Sequence, residues 1–209
     1  MASSNTGTCL LCNEEVNHRS ITKHVEKCLG NDASHQPSEK ECIFLIKVYC
    51  GKEFWLYIEI NGSAKLEDLD YYLRGVWLEC CDHMSQFKIN GQRYSYDGGM
   101  NKIIHRTLKV DIEFDYEYDF GSTTWLEGKV ISSRPGQLKN KIRLVARNHL
   151  LADIVCDTCQ NKPDVICTEC NELICETCKE DHDGCTEDFM LPVVNSPRMG
   201  VFGYCGPDF

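Results

Sequence analysis

No stretch of this 209-residue chain approaches the 18 or more consecutive apolar residues of a membrane-spanning helix, so a helical membrane protein is excluded. No apolar leader follows the opening Met-Ala-Ser-Ser-Asn, so the fifteen cysteines do not read as an extracellular disulfide framework, and a reducing, cytoplasmic setting is expected. No Ser/His/Asp or Cys/His arrangement with nucleophilic spacing occurs, and Gly200, Gly203 and Gly206 lack both the spacing and the following helix of a phosphate loop. Catalysis is therefore not expected. Basic charge is also short: 22 Lys and Arg against 32 Asp and Glu give a net charge of -10. The shortage is local. Residues 151–190 hold two lysines against eleven acids, whereas residues 40–150 hold sixteen basic and fifteen acidic side chains. Such a C-terminal surface repels phosphate and suits a basic protein partner better than nucleic acid.

Cysteine is abundant, and its spacing carries the chemistry. From Cys156 the order is Cys156-x2-Cys159-x7-Cys167-x2-Cys170-x4-Cys175-x2-Cys178-x3-His182-x2-Cys185. Two ligands separated by two residues sit on one turn and can reach a tetrahedral ion at about 2.3 Å. Eight ligands fill two ions and leave no position for water, which is the mark of structural rather than catalytic zinc. A segment this short cannot bury enough apolar surface to fold alone, so metal supplies its folding free energy, about 10–16 kcal/mol per site in small fingers. Spacing alone leaves two pairings open, consecutive or interleaved. The ligand series resembles a B-box zinc finger, and the resemblance implies interleaving: Cys156, Cys159, Cys175 and Cys178 on one ion, Cys167, Cys170, His182 and Cys185 on the other. B-boxes are protein-interaction modules. The RING and coiled coil that usually flank them are absent from this sequence, so ubiquitin ligase activity is not implied.

The first thirty residues carry a second signature, Cys9-x2-Cys12-x11-His24-x3-Cys28. Residues Ser20 to Cys28 read as a helix that places His24 and Cys28 on one face and Ile21 and Val25 on a small apolar side. His18 competes as a ligand but falls on another helical face. This segment resembles the ubiquitin-binding zinc fingers of the translesion-repair ligase type. There, the acidic residue between the last two ligands contacts ubiquitin, and Glu26 stands at that place, one methylene longer than the family's aspartate. The resemblance implies a ubiquitin-like partner; another protein or nucleic acid is the alternative. Three zinc ions are expected in all.

Between the two metal segments lies a strand-rich body. Residues 31–41 read as a polar linker. Residues 42–49 and 54–60 read as a hairpin, 87–96 as a second hairpin through Asn90-Gly91, and Leu66, Leu69, Leu73, Val76 and Trp77 as the core stripe of a helix capped by Ser63. Strict alternation over Val110–Phe120 sends Asp111, Glu113, Asp115, Glu117 and Asp119 to one face. A basic strand carrying Lys139, Lys141, Arg143 and Arg147 on its outer face is expected beside them, with Trp125–Ser133 in or near the same sheet. Cys80 and Cys81, beside His83, read as buried small hydrophobes, with a metal corner or a reactive thiol as the alternative. Cys42, Cys50 and Cys205 have no assigned role.

Leu66-Glu67-Asp68-Leu69-Asp70 with Arg74 and Trp77, His83-Met84-Ser85-Gln86-Phe87 and Tyr116 to Thr124 resemble the plasmid pRiA open-reading-frame-three-like family. That resemblance implies an α+β domain and brings no activity. The expected organisation is thus a zinc finger over 1–30, the linker, an α+β body over 42–150, a B-box-like module over 151–188 and an apolar Pro/Gly-rich tail over 189–209. So many large side chains in the tail are costly in water, so it is expected to lie back on the rest of the chain. The function these features point to is a zinc-binding, non-catalytic protein-interaction adaptor. A nucleic-acid-binding accessory of a mobile element is second, and a metal-dependent enzyme using the acidic strand is third.

Overall fold

A computed structural model describes residues 5–30, 41–150, 154–201 and 203–207; most of the expected linker lies outside the described residues. In chain order the first elements are β1 (Thr6–Cys9), β2 (Glu15–Asn17), α1 (Ile21–Leu29), β3 (Cys42–Cys50), β4 (Phe54–Asn61) and α2 (Leu66–Leu73), which runs into a π-helical turn over Arg74–Leu78. Then come β5 (Ser85–Ile89), β6 (Gln92–Ser95), the single turn α3 (Ile104–Thr107), β7 (Glu113–Tyr118), β8 (Thr124–Pro135) and β9 (Ile142–Asn148). The C-terminal part holds β10 (Val165–Cys167), β11 (Leu173–Ile174), α4 (Glu176–Lys179) and β12 (Met190–Pro192). The class is α+β, as expected.

Nine strands form one antiparallel sheet in the order β2-β1-β9-β4-β3-β8-β7-β5-β6, and β11-β10-β12 form a second. The hairpins of β3 with β4 and of β5 with β6 form where the sequence places them. On one face of the large sheet, Phe44, Ile46, Ile58, Phe87, Tyr116 and Val130 meet Leu66, Leu69, Leu73 and Trp77 from α2 and its π turn. The other face is covered at one end by α1, whose Ile21 and Val25 join Leu45, Trp55, Tyr57 and Val145 in a second core.

The N-terminal segment is therefore built into the sheet rather than appended to it. β1 pairs with β9 from Gly7 opposite Asn148 to Cys9 opposite Ala146. Gly7 permits this: a Cβ there would overlap the Arg147 carbonyl and the Trp55 ring. Asn5 accepts the Trp55 indole N–H at 2.8 Å, which fixes the approach.

Several expectations need correction. β7 and β9 share the sheet but are not neighbours, because β4, β3 and β8 lie between them. Of the acids expected in one row, only Glu113, Asp115 and Glu117 lie in the strand; Asp111 and Asp119 take left-handed φ values of 68° and 63° at its two ends. β8 and β5 relieve the row in part, with Lys129 Nζ 3.0 Å from Glu113 and Lys88 opposite Asp115, although Glu127 of β8 also stands opposite Asp115. On β9 an extra residue, Val145, sits between the pairs Tyr57–Ala146 and Ile58–Leu144. This bulge reverses the alternation, so Arg147 leaves the outer face, pairs with core residue Leu56 and is half-buried, which lowers its pKa. Ser63 is exposed and does not cap α2; Lys65 stands at the cap, and its N–H donates to the Asp68 carboxylate at 2.8 Å.

The tail does lie back on the body. Ser196 Oγ donates to the Trp77 carbonyl at 2.6 Å, Tyr204 OH donates to the same oxygen, and Arg198 is buried with Asp119 Oδ2 at 2.6 Å.

Candidate metal centres

The twelve expected ligands form three sets of four: Cys9, Cys12, His24 and Cys28; Cys156, Cys159, Cys175 and Cys178; Cys167, Cys170, His182 and Cys185. Within each set the ligand atoms all lie within 4.8 Å of one another. The C-terminal sets are interleaved. His18 belongs to no set.

The shorter ligand separations come within a few tenths of an ångström of those around a tetrahedral ion. Zn–S and Zn–N bonds of about 2.3 and 2.0–2.1 Å place ligand atoms about 3.5–3.8 Å apart. Cys12 Sγ and Cys28 Sγ lie 3.2 and 3.4 Å from His24 Nε2, Cys170 Sγ lies 3.6 Å from His182 Nε2, and the Sγ atoms of Cys159 and Cys175 are 3.4 Å apart. In both histidines Nε2 faces the cysteines. Nδ1 faces a carboxylate: Glu14 Oε2 at 3.8 Å from His24, and Glu172 Oε2 at 3.5 Å from His182. At these separations the carboxylate acts on the imidazole through its charge, which favours an electron-rich ring toward a metal.

Three of the Cys-x2-Cys turns share one backbone design. In each, the first cysteine's carbonyl accepts the N–H four residues on, from Asn13, Gln160 or Asn171 at 2.7, 2.9 and 2.8 Å. Its own N–H donates to the carbonyl five residues on, of Glu14, Asn161 or Glu172 at 2.9, 2.7 and 2.9 Å. The residue after the second cysteine is left-handed in all three, with φ of 63°, 64° and 64° at Asn13, Gln160 and Asn171. Asparagine tolerates that conformation well, so Asn13 and Asn171 are the sequence signal that the spacing argument overlooked. The fourth turn, Cys175-x2-Cys178, opens α4 instead, and Lys179 N–H donates to the Cys175 carbonyl at 3.1 Å.

The thiols are unequal without metal. Burial pushes the Cys156 thiol up, but backbone N–H donors of Cys159, Cys175 and Thr158 outweigh it and bring it down to about 6. Cys167 behaves alike: burial is overcome by Cys170 N–H and His182, and its thiol falls to about 6. The partners then hold their protons. The neighbouring thiols of Cys159 and Cys175 push Cys178 up to about 12, and Cys167 with burial pushes Cys185 up to about 12. Burial and Cys12 push Cys28 up to about 11. A dication entering each set offsets this repulsion and drives the last protons off.

Glu26 is half-buried on α1, beside a face already used: Ile21 and Val25 are fully buried against the sheet, and Thr22 Oγ1 lies 2.6 Å from Tyr57 OH. The cysteines outside the three sets differ in setting. Cys42 is buried, Cys50 half-buried and Cys205 exposed. Cys80 and Cys81 depart from the buried pair expected, because Cys81 is exposed and Cys80 only partly covered. The π turn ends the helix early and puts the pair on the loop that follows, where Glu79 N–H donates to the Arg74 carbonyl at 2.9 Å. Their thiols and a ring nitrogen of His83 also lie within 4.8 Å of one another.

A buried polar network supports that loop. Asp70 is fully buried and accepts hydroxyl donors from Ser85, Tyr116 and Tyr96 at 2.5, 2.7 and 2.8 Å. Arg74 Nε lies 3.0 Å from Asp70 Oδ2 but makes no directed hydrogen bond, so that contact is an ion pair only. Among the described residues no helix is long and apolar enough to cross a membrane.

No family model matches the chain, and no curated protein matches it. Among solved structures it is similar to the crystal structure of a protein of unknown function from Methanosarcina mazei Go1, at 16% identity and a TM-score of 0.43, over 51% of this chain and 67% of that one.

Proposed function

We propose that the protein is a zinc-binding, non-catalytic interaction adaptor in which three structural zinc ions hold the N-terminal finger and the C-terminal module in shape. The observation that carries this reading is the grouping of twelve Cys and His side chains into three sets of four, each complete. A four-ligand set leaves no coordination position for water or substrate, so its ion stabilises a fold and performs no chemistry. The C-terminal module has little else to hold it: among its described residues Pro163, Ile174 and Leu191 are the buried ones apart from cysteines.

The partner surface belongs on the C-terminal module. A dication held by four thiolates keeps two negative charges and one held by three thiolates and an imidazole keeps one, so zinc leaves this acidic segment attractive to a basic protein segment. A ubiquitin-like partner at the N-terminal finger would have to do without Ile21 and Val25, which the sheet covers, and would be left with Glu26, its polar neighbours and exposed Leu10. Nucleic acid finds less support, because the basic strand is largely occupied within the chain. Arg143 Nε donates to almost fully buried Glu59 at 3.1 Å and Lys141 Nζ lies 2.8 Å from Asp68, while Arg134 of β8 donates to the same Glu59 at 2.6 Å.

Native mass spectrometry of the reduced full chain tests the reading. Cys12→Ala is expected to remove one zinc and leave the C-terminal pair, and Cys170→Ala to remove one or both C-terminal ions while the N-terminal ion stays. Loss of no ion from either variant, of a C-terminal ion from Cys12→Ala, or of the N-terminal ion from Cys170→Ala would overturn the ligand assignment. Binding of a lysine-rich peptide to the zinc-loaded chain, abolished by chelation, is expected for the adaptor role; equal binding with and without zinc would contradict it.

A further inference from the structure

We propose that Cys80, Cys81 and His83 form a fourth metal site, different in kind from the other three: an open site with three protein ligands and one exchangeable position, suited to zinc or another thiophilic cation. Two thiolates and a neutral imidazole balance the charge of a dication, and three protein ligands with a vacant fourth position are the arrangement in which zinc keeps a small exchangeable ligand. The proposal does not depend on the ions of the three closed sets.

The convergence of these side chains is held by the surrounding structure. Glu79 Oε1 accepts the N–H groups of Cys80 and Asp82 at 3.0 and 2.6 Å. Arg74 donates to Asp82 Oδ1 at 3.0 Å and to the His83 carbonyl, and Asp82 takes a left-handed φ of 56°. The loop is thereby curled so that both thiols and the imidazole face one point. Arg74 is itself buried, so the anchor is part of the core.

The second observation is the environment of the imidazole. His83 Nδ1 lies 3.7 Å from Asp119 Oδ1, matching the 3.8 Å from His24 to Glu14 and the 3.5 Å from His182 to Glu172. All three cysteine-associated histidines thus have a carboxylate on the Nδ1 side, which favours Nε2 of His83 as the metal-binding nitrogen, as Nε2 faces the cysteines in His24 and His182. Asp119 is fixed in that role, since it also accepts the Gly121 N–H at 3.0 Å and pairs with buried Arg198 at 2.6 Å. The Tyr118 ring stands edge-on to His83, 5.9 Å between centroids, and limits its rotation. Exposed Cys81 leaves the fourth position open to solvent or to a donor atom from a partner.

Cobalt(II) substitution of the reduced full chain, with native mass spectrometry for the count, tests this. Four ions per chain are expected, falling to three in Cys81→Ser and in His83→Gln while the far-ultraviolet circular dichroism stays that of the parent. Azide or imidazole is expected to shift the cobalt d–d bands of the parent and of neither variant, because only an open site admits an added ligand. A parent that saturates at three ions, a fourth ion that survives both substitutions, or a fourth ion whose bands ignore azide would each overturn the proposal. Failure of the three closed sites would register separately, as a parent count that Cys12→Ala or Cys170→Ala does not lower.

Discussion

Replacing Arg198 with methionine isolates what holds the tail to the body. The arginine side chain is 1% exposed, and its guanidinium meets Asp119 Oδ2 at 2.6 Å, the Ser122 carbonyl at 3.0 Å and Thr124 Oγ1 at 3.1 Å. Methionine keeps most of the aliphatic stem but removes every donor, together with the guanidinium that lies 5.0 Å over the Tyr118 ring. Removing one partner of a buried ion pair costs about 3–5 kcal/mol, chiefly because the other charge is left behind. Asp119 would still accept the Gly121 N–H at 3.0 Å and face His83 at 3.7 Å, so the cost belongs at the low end, about 3 kcal/mol. That lowers the folded population relative to the unfolded by roughly a hundredfold. Urea unfolding at saturating zinc, followed by the fluorescence of buried Trp77, measures it, since the tail residues Ser196 and Tyr204 both donate to the Trp77 carbonyl. Asp119→Asn and the double variant complete a cycle in which the coupling is expected to exceed about 1 kcal/mol. A cost within about 0.5 kcal/mol of zero, the range of ordinary surface substitutions, or singles that simply add, would refute the reasoning.

Gly7→Ala forces a Cβ against the Arg147 carbonyl and the Trp55 ring, so the N-terminal segment should leave the edge of β9; faster amide exchange at residues 6–9 and 146–148 is the readout. Glu172→Gln and Glu14→Gln remove the exposed carboxylates behind His182 and His24, and each is expected to weaken zinc by no more than about fivefold at its own site, measured by chelator competition. Tyr49, Tyr57 and Tyr72 are each pushed up to about 12, in every case first by burial. Their neutral form is favoured by folding, so the stability this contributes is whole below the ordinary tyrosine value of about 10 and is lost as pH rises from there through about 12. Phenolate absorbance should therefore lag the unfolded chain in that window; coincident titrations would contradict the burial.

Local patterns were readable from the sequence and long-range placements were not. The β3–β4 hairpin, the Asn90-Gly91 turn and the α2 stripe follow from periodicity and turn chemistry within a few residues of one another. The three ligand sets followed from spacing and from the B-box likeness. The position of β9 did not, because its basic face satisfies Glu59 and Asp68 as well as it would have satisfied β7, and nothing local chooses between them. The bulge at Val145 inverts which face Arg147 occupies, and one inserted residue leaves no mark on a pattern of alternating charge. Thr6–Cys9 is too short to show alternation, so its entry into the sheet rests on Gly7 and on Asn5 meeting Trp55. Arg198 stands in a nearly uncharged tail, where a lone cation signals its buried partner only once the fold brings Asp119 to it.

The central claim is that three complete ligand sets, two of them interleaved, each hold one ion. Cadmium-113 substitution with correlation to the cysteine β-protons tests it most directly. The account predicts one cadmium signal coupled to Cys156, Cys159, Cys175 and Cys178, a second coupled to Cys167, Cys170 and Cys185, and a third coupled to Cys9, Cys12 and Cys28. A signal coupled to both Cys159 and Cys167 would contradict it.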